Sequence, residues 1–207
     1  KRIRCNYVND LQNGIHLFWG EDGTKELTEF VDGKMNGPLT VWHPNGKLKE
    51  ESYYVDWVAQ GPFTFYGEDY DQIVVNTNGW ISFGNFEMYS FRNYPIPGAG
   101  GPSPMVAAFW DDLKTGSGGY IHHYETDDKV VIQWDDMRTY DGNSRETFEI
   151  ILYNQEFLSP TITGDSEIKI QYQEFNNTSD GYYPNGGTPT HGCYSTIGIE
   201  NHMGDIG

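Results

Sequence analysis

Apolar and polar residues alternate with a period of two along much of this chain, and no window carries the stripe of an amphipathic helix. The alternation is plainest in Thr147-Phe148-Glu149-Ile150-Ile151-Leu152-Tyr153 and Glu167-Ile168-Lys169-Ile170-Gln171-Tyr172. Both predict strands with one buried and one wet face. Met105-Val106-Ala107-Ala108-Phe109-Trp110 is continuously apolar and predicts a central strand. Ile73-Val74-Val75-Asn76-Thr77-Asn78-Gly79-Trp80-Ile81-Ser82-Phe83 reads as a hairpin. Its Asn-Gly predicts a type I′ turn with positive φ at both central residues. Strands are expected at 63–67, 71–76, 80–84, 105–111, 119–125, 129–135, 146–154, 166–174 and 194–200. That spacing of about ten residues, with turn signals between, predicts an all-β antiparallel sandwich.

The first sixty residues repeat. Asn13, Gly14, Trp19, Gly23 and Phe30 recur as Asn36, Gly37, Trp42, Gly46 and Tyr53, each at an offset of 23. Each unit (13–35 and 36–58) reads as a strand, a Gly turn and a charged return strand. A single hairpin cannot bury its own apolar face, so the period predicts a stacked array. Trp19 and Trp42 are expected in one core with Phe30, Tyr53 and Phe65. A third unit is expected to start at Gly61-Pro62-Phe63, and no Ser/Gly spacer precedes it. The expected division is therefore 1–60 hairpin repeats and 61–207 sandwich, without a flexible linker.

Family resemblances attach to these motifs. The run "F-x-F-Y-G-x-x-Y … V-N-T-N-G-W-I-S-F-G … A-A-F-W-D-D-L" between Phe63 and Leu113 resembles the extracellular nidogen-like (NIDO) domain. The resemblance continues through Gly119–Tyr124, Thr147–Tyr153 and Ile168–Tyr172 to Ser195–Asn201. It implies a β-sandwich in an extracellular, non-enzymatic protein. The pattern "N-G-x-x-x-x-W-x-x-x-G-x-x-x-E-x-x-[FY]" is similar to the variant MORN repeat of bacterial envelope proteins, which implies a bacterial surface protein. The chain opens on Lys1 and stops on Met203-Gly204-Asp205-Ile206-Gly207, which reads as a piece of a longer polypeptide.

Charge narrows the partners. Thirteen basic and 30 acidic residues give a formal charge of −17. That excludes nucleic acid and anionic lipid as natural targets, because both need Lys and Arg to neutralise phosphate. No apolar run is long enough to cross a bilayer. The acidity suits calcium, whose ligands are hard oxygens. Asp111 and Asp112, at the end of the central strand, and Asp141, in a later turn, are the candidate ligands. Adjacent residues on a strand point to opposite faces, so Asp111 and Asp112 can share an ion only where the strand ends. His123 and Glu125 share a strand face but fall short of the three ligands a catalytic metal needs.

Cys5 and Cys193 allow two readings, one long-range disulfide or two separate buried thiols. Two long loops, 85–104 and 175–191, carry Tyr89, Phe91, Tyr94, Tyr182 and Tyr183, candidate contacts for a protein or glycan partner. No nucleophile elbow, zinc-protease motif or phosphate loop is present. The expected role is a structural or adhesive segment at the cell surface, assembling with other subunits through sheet edges. A carbohydrate-binding module is the first alternative and a hydrolase the second.

Overall fold

In the computed structural model, residues 2–56, 63–84, 91–115, 119–140, 144–181 and 192–207 are described. Among them every regular element is a strand. The first segment forms β1 (Arg2–Arg4), β2 (Tyr7–Val8), β3 (Leu11–Gln12), β4 (Gly14–Trp19), β5 (Lys25–Val31), β6 (Lys34–Trp42) and β7 (Leu48–Asp56). Then come β8 (Phe63–Phe65), β9 (Glu68–Tyr70), β10 (Gln72–Asn76), β11 (Trp80–Phe83) and β12 (Met105–Trp110). The last six are β13 (Leu113–Lys114), β14 (Tyr120–Glu125), β15 (Lys129–Thr139), β16 (Arg145–Tyr153), β17 (Ile168–Glu174) and β18 (Thr196–Glu200). Each of the nine strands expected after position 62 is present.

Two antiparallel sheets make the sandwich. The larger has nine strands in the order β1-β4-β5-β6-β7-β10-β11-β12-β18. The smaller has five, with β13 and β14 end to end along one edge of β15, then β16 and β17. Their facing sides hold the main core: Ile73, Val75, Ile81, Phe83 and Val106 from one, Val130, Ile132, Trp134, Phe148, Ile150 and Leu152 from the other. Phe148 stacks on Trp134 and on Phe109, with ring centres 5.1 and 5.5 Å apart. Two polar handles also cross the gap. The Trp134 indole N–H donates to the Asn76 carbonyl at 2.9 Å, and the Tyr172 hydroxyl donates to the Ala108 carbonyl at 2.7 Å. Such partners let large amphipathic rings be buried without stranding their polar atoms.

The hairpin segment and the sandwich share one sheet. β7 pairs with β10, which brings Tyr54 opposite Val74 and Tyr53 opposite Val75. The sheet is continuous across this pairing, from β7 into β10. Trp19 and Trp42 do share a face, since Trp19 lies opposite Lys25 and Lys25 lies opposite Trp42. They do not form a core with Phe30. Phe30 lies opposite Gly14, on the other face, with its ring 4.5 Å from that of buried His16. Both tryptophans are half-buried and alternate with cations instead: Arg2 sits 5.5 Å from the Trp19 ring and Lys25 4.6 Å from the Trp42 ring. A cation over an indole face gains from the ring quadrupole, which allows a wet row of tryptophans.

The hairpin turn differs from the sequence expectation. Among Thr77, Asn78 and Gly79 only Gly79 has positive φ, at 81°. This is the three-residue loop with a glycine in the left-handed region, and not the type I′ turn.

Candidate functional site

The two motifs that carry the family resemblance meet at the end of β12. The Asn78 carbonyl accepts from the Asp111 N–H at 3.2 Å, and the Asn78 side chain accepts from the Leu113 N–H at 3.0 Å. The Gly79 carbonyl accepts from both Ala108 and Phe109. A β-carbon on Gly79 would lie 1.9 Å from the Phe109 carbonyl oxygen, so only glycine fits. The Asn-Gly turn thus docks onto the aspartate-ended strand.

Asp111 and Asp112 follow the last residue of β12 and take different environments. Asp111 is fully buried, and its carboxylate accepts from the Asp112 N–H at 2.8 Å and the Ser179 hydroxyl at 3.4 Å. Asp112 is half-buried and lines a shallow depression with Asn76, Thr77, Asn78, Phe91 and Lys114. Asp141 lies outside the described residues. Among the described residues, no three His, Cys, Asp or Glu side chains gather as a metal site.

Of the candidate contact aromatics, Phe91 joins Asp112 in that depression. Tyr94 goes elsewhere: its ring meets Trp110 edge-on at 6.1 Å, so it covers the larger sheet. Tyr89, Tyr182 and Tyr183 lie outside the described residues. Cys5 and Cys193 are free thiols, Cys5 half-buried and Cys193 exposed, so the disulfide reading and the expectation of two buried thiols are both corrected. Cys5 follows β1 and Cys193 precedes β18, the two opposite edges of the nine-stranded sheet. The Cys193 thiol instead donates to the Asp180 carbonyl at 3.0 Å.

Two further buried carboxylates were not singled out by sequence. Glu200 accepts from the Gly98 N–H at 2.8 Å and from the Ser103 hydroxyl, anchoring the 91–104 loop to β18. Glu146 accepts from the Ser144 hydroxyl at 2.7 Å and from the backbone of Asn176 and Asn177, at 2.7 and 3.1 Å. Buried carboxylates must be satisfied in this way, and here they hold loops. Nothing in their local sequence distinguishes them from surface acids.

β18 is the last strand of its sheet. It pairs with β12 on one side, and among the described residues no strand lies on the other. Ile199 lies opposite Val106, on the face that forms the core, yet it is 36% exposed and Ile197 is 45% exposed. Tyr172 and Phe175, from the neighbouring edge of the smaller sheet, are also exposed. The sandwich therefore stays open, with apolar side chains showing, along its β17/β18 side.

The NIDO-related family matches residues 60–206. This chain belongs to the NIDO-related family. The NIDO-related match takes in every strand from β8 to β18 and both docked motifs, and leaves the strands of residues 2–56 outside it. The chain is also 30% identical over 110 residues, 52% of its length, to the protein named Nidogen from Drosophila melanogaster. That stretch spans 7% of the relative, so the likeness concerns one small part of it. No solved structure matches the chain.

Proposed function

We propose that this NIDO-related chain is a non-catalytic segment of an extracellular structural or adhesive protein, and that it assembles by accepting a strand at β18. The observation that carries the reading is the open edge. An unpaired edge templates pairing with another chain, and monomers blunt it with Lys, Pro or a covering loop. Thr196-Ile197-Gly198-Ile199-Glu200 carries neither Lys nor Pro and leaves two isoleucines exposed. An added strand with alternating apolar residues would close the β17/β18 side and complete the core. The family supports an extracellular setting. The 23-residue hairpin spacing supports the MORN-like, bacterial-surface reading of the first segment.

The test is the oligomeric state of the intact chain, by light scattering and electron microscopy. Assembly is expected, and Ile197→Lys with Ile199→Lys should abolish it while leaving the melting temperature of the subunit nearly unchanged. A native particle in which β18 lies bare to solvent would overturn the reading.

A further inference from the structure

The outer face of the smaller sheet carries an ordered set of side chains that strand addition at β18 does not use. Tyr120, His122 and Tyr124 point the same way from β14, two residues apart. Tyr120 is 61% and Tyr124 63% exposed, and the Tyr120 and His122 ring centres are 6.1 Å apart. His122 is opposite Gln133, Gln133 opposite Glu149, and Glu149 opposite Gln171, so a polar row crosses all four long strands. The row is fixed from within: Glu149 accepts from the Gln133 amide at 3.4 Å and from the Gln171 amide. His122 is held in turn near Asp135 at 3.7 Å. Beside it runs a second row, Tyr124, Val131, Ile151 and Lys169, an apolar floor that ends on an exposed cation. A depression of about 190 Å³ opens among Gln133, Thr147, Glu149, Gln171 and Gln173.

We propose that this face is a binding site for a neutral oligosaccharide. Exposed tyrosines offer flat platforms for the C–H faces of sugar rings. Amides and a carboxylate held in place by one another offer preorganised donors and acceptors for ring hydroxyls, which lowers the ordering cost of binding. The depression is smaller than the roughly 300–1,000 Å³ of an enclosed ligand pocket. That suits one ring of a chain lying across the surface. Lys169 offsets one of the carboxylates Glu149 and Asp135 on this face, and the net charge of −17 on the whole chain disfavours sulfated or uronic polymers and favours neutral ones. The site lies on the sheet without β18, so glycan binding and subunit assembly can be lost separately.

The experiment is affinity electrophoresis of the intact chain in gels containing neutral polysaccharides (β-glucan, xylan, mannan) or anionic ones (alginate, heparin), followed by calorimetry with matching oligosaccharides. Retardation by at least one neutral polymer is expected. Tyr120→Ala and Tyr124→Ala should each weaken binding by roughly tenfold, the scale of losing an aromatic anchor. Gln171→Ala should also weaken it. Phe157→Ala, which removes an equally exposed aromatic elsewhere, should bind like the parent. All these side chains are exposed or half-exposed, so the variants should fold, which circular dichroism checks. Failure of every neutral polymer to retard the chain, retardation by anionic polymers alone, or parental binding by both tyrosine variants would each overturn the proposal.

Discussion

Tyr54 of β7 lies directly opposite Val74 of β10, both are buried, and they pack together with Leu39 and Val41. This pair joins the N-terminal hairpins to the NIDO-related sandwich. A shared ladder and a shared cluster make one cooperative unit. Calorimetry of the intact chain should therefore show a single transition. Tyr54→Ala should lower stability by about 3–5 kcal/mol, the range for emptying a buried aromatic site. Two separate transitions, with only the first moved by Tyr54→Ala, would show that the hairpins fold alone.

The turn at Gly79 gives a sharper case. Gly79→Ala forces a methyl group to within 1.9 Å of the Phe109 carbonyl oxygen, at a φ of 81°. Overpacking and a left-handed backbone together should cost about 2–4 kcal/mol. Urea denaturation measures it, and a loss under 1 kcal/mol would mean that the docking of this turn on β12 is loose.

Alkaline pH probes the bridge between the sheets. Burial pushes the Tyr172 hydroxyl up to about 12, above its ordinary value near 10. Between those two values the unfolded chain has lost the proton that the folded chain keeps. Stability contributed by Tyr172 is therefore full below pH 10 and declines as pH rises toward 12. Tyr172→Phe should cost about 1 kcal/mol at neutral pH, from the lost hydrogen bond to Ala108. It should also flatten the fall in melting temperature above pH 10. Parallel pH profiles for parent and variant would show that Tyr172 ionises without consequence.

Lys25 stands between Trp19 and Trp42, and its ammonium lies over the Trp42 ring. A double-mutant cycle with Lys25→Met and Trp42→Leu should give a coupling of about 0.5–1 kcal/mol, as for exposed cation–π pairs. A coupling indistinguishable from zero would reduce the row to incidental packing.

Calcium has a direct test at the end of β12. Asp112 is the strand-end aspartate that opens into the depression beside Asn78 and Phe91. A bound ion would raise the melting temperature by mass action, and Asp112→Asn would remove the rise. Identical melting curves in calcium and in excess chelator would take the ion out of the account.

Alternation located the strands because one-sided burial leaves a period-two trace, and the run Met105–Trp110 was recognisable as central because both its faces are covered. How the strands divide into two sheets was not legible, since pairing β7 with β10 depends on contacts between distant segments. The face of Phe30 was misjudged for a related reason. A repeat period equates positions between units, but the face of a residue follows from its parity within its own strand: Lys25 and Phe30 are five residues apart along β5, whose pairing with β4 is regular, so they point to opposite faces. The disulfide failed on geometry that no spacing encodes. The aromatic row of β14 was partly legible, since alternation puts Tyr120, His122 and Tyr124 on one face of an expected strand. Its partners Gln133, Glu149 and Gln171 come from three different strands and meet only after folding.

The uninterrupted nine-stranded sheet has a mechanical consequence. With neighbouring strands about 4.8 Å apart, its width from β1 to β18 is on the order of 40 Å. A load applied at one margin is carried through successive interstrand ladders to the other, with no slack connector to absorb it. The chain would act as a stiff plank. If a partner strand were held at β18, it would keep a set distance and bearing from whatever is joined at β1, and that spacing would survive shear.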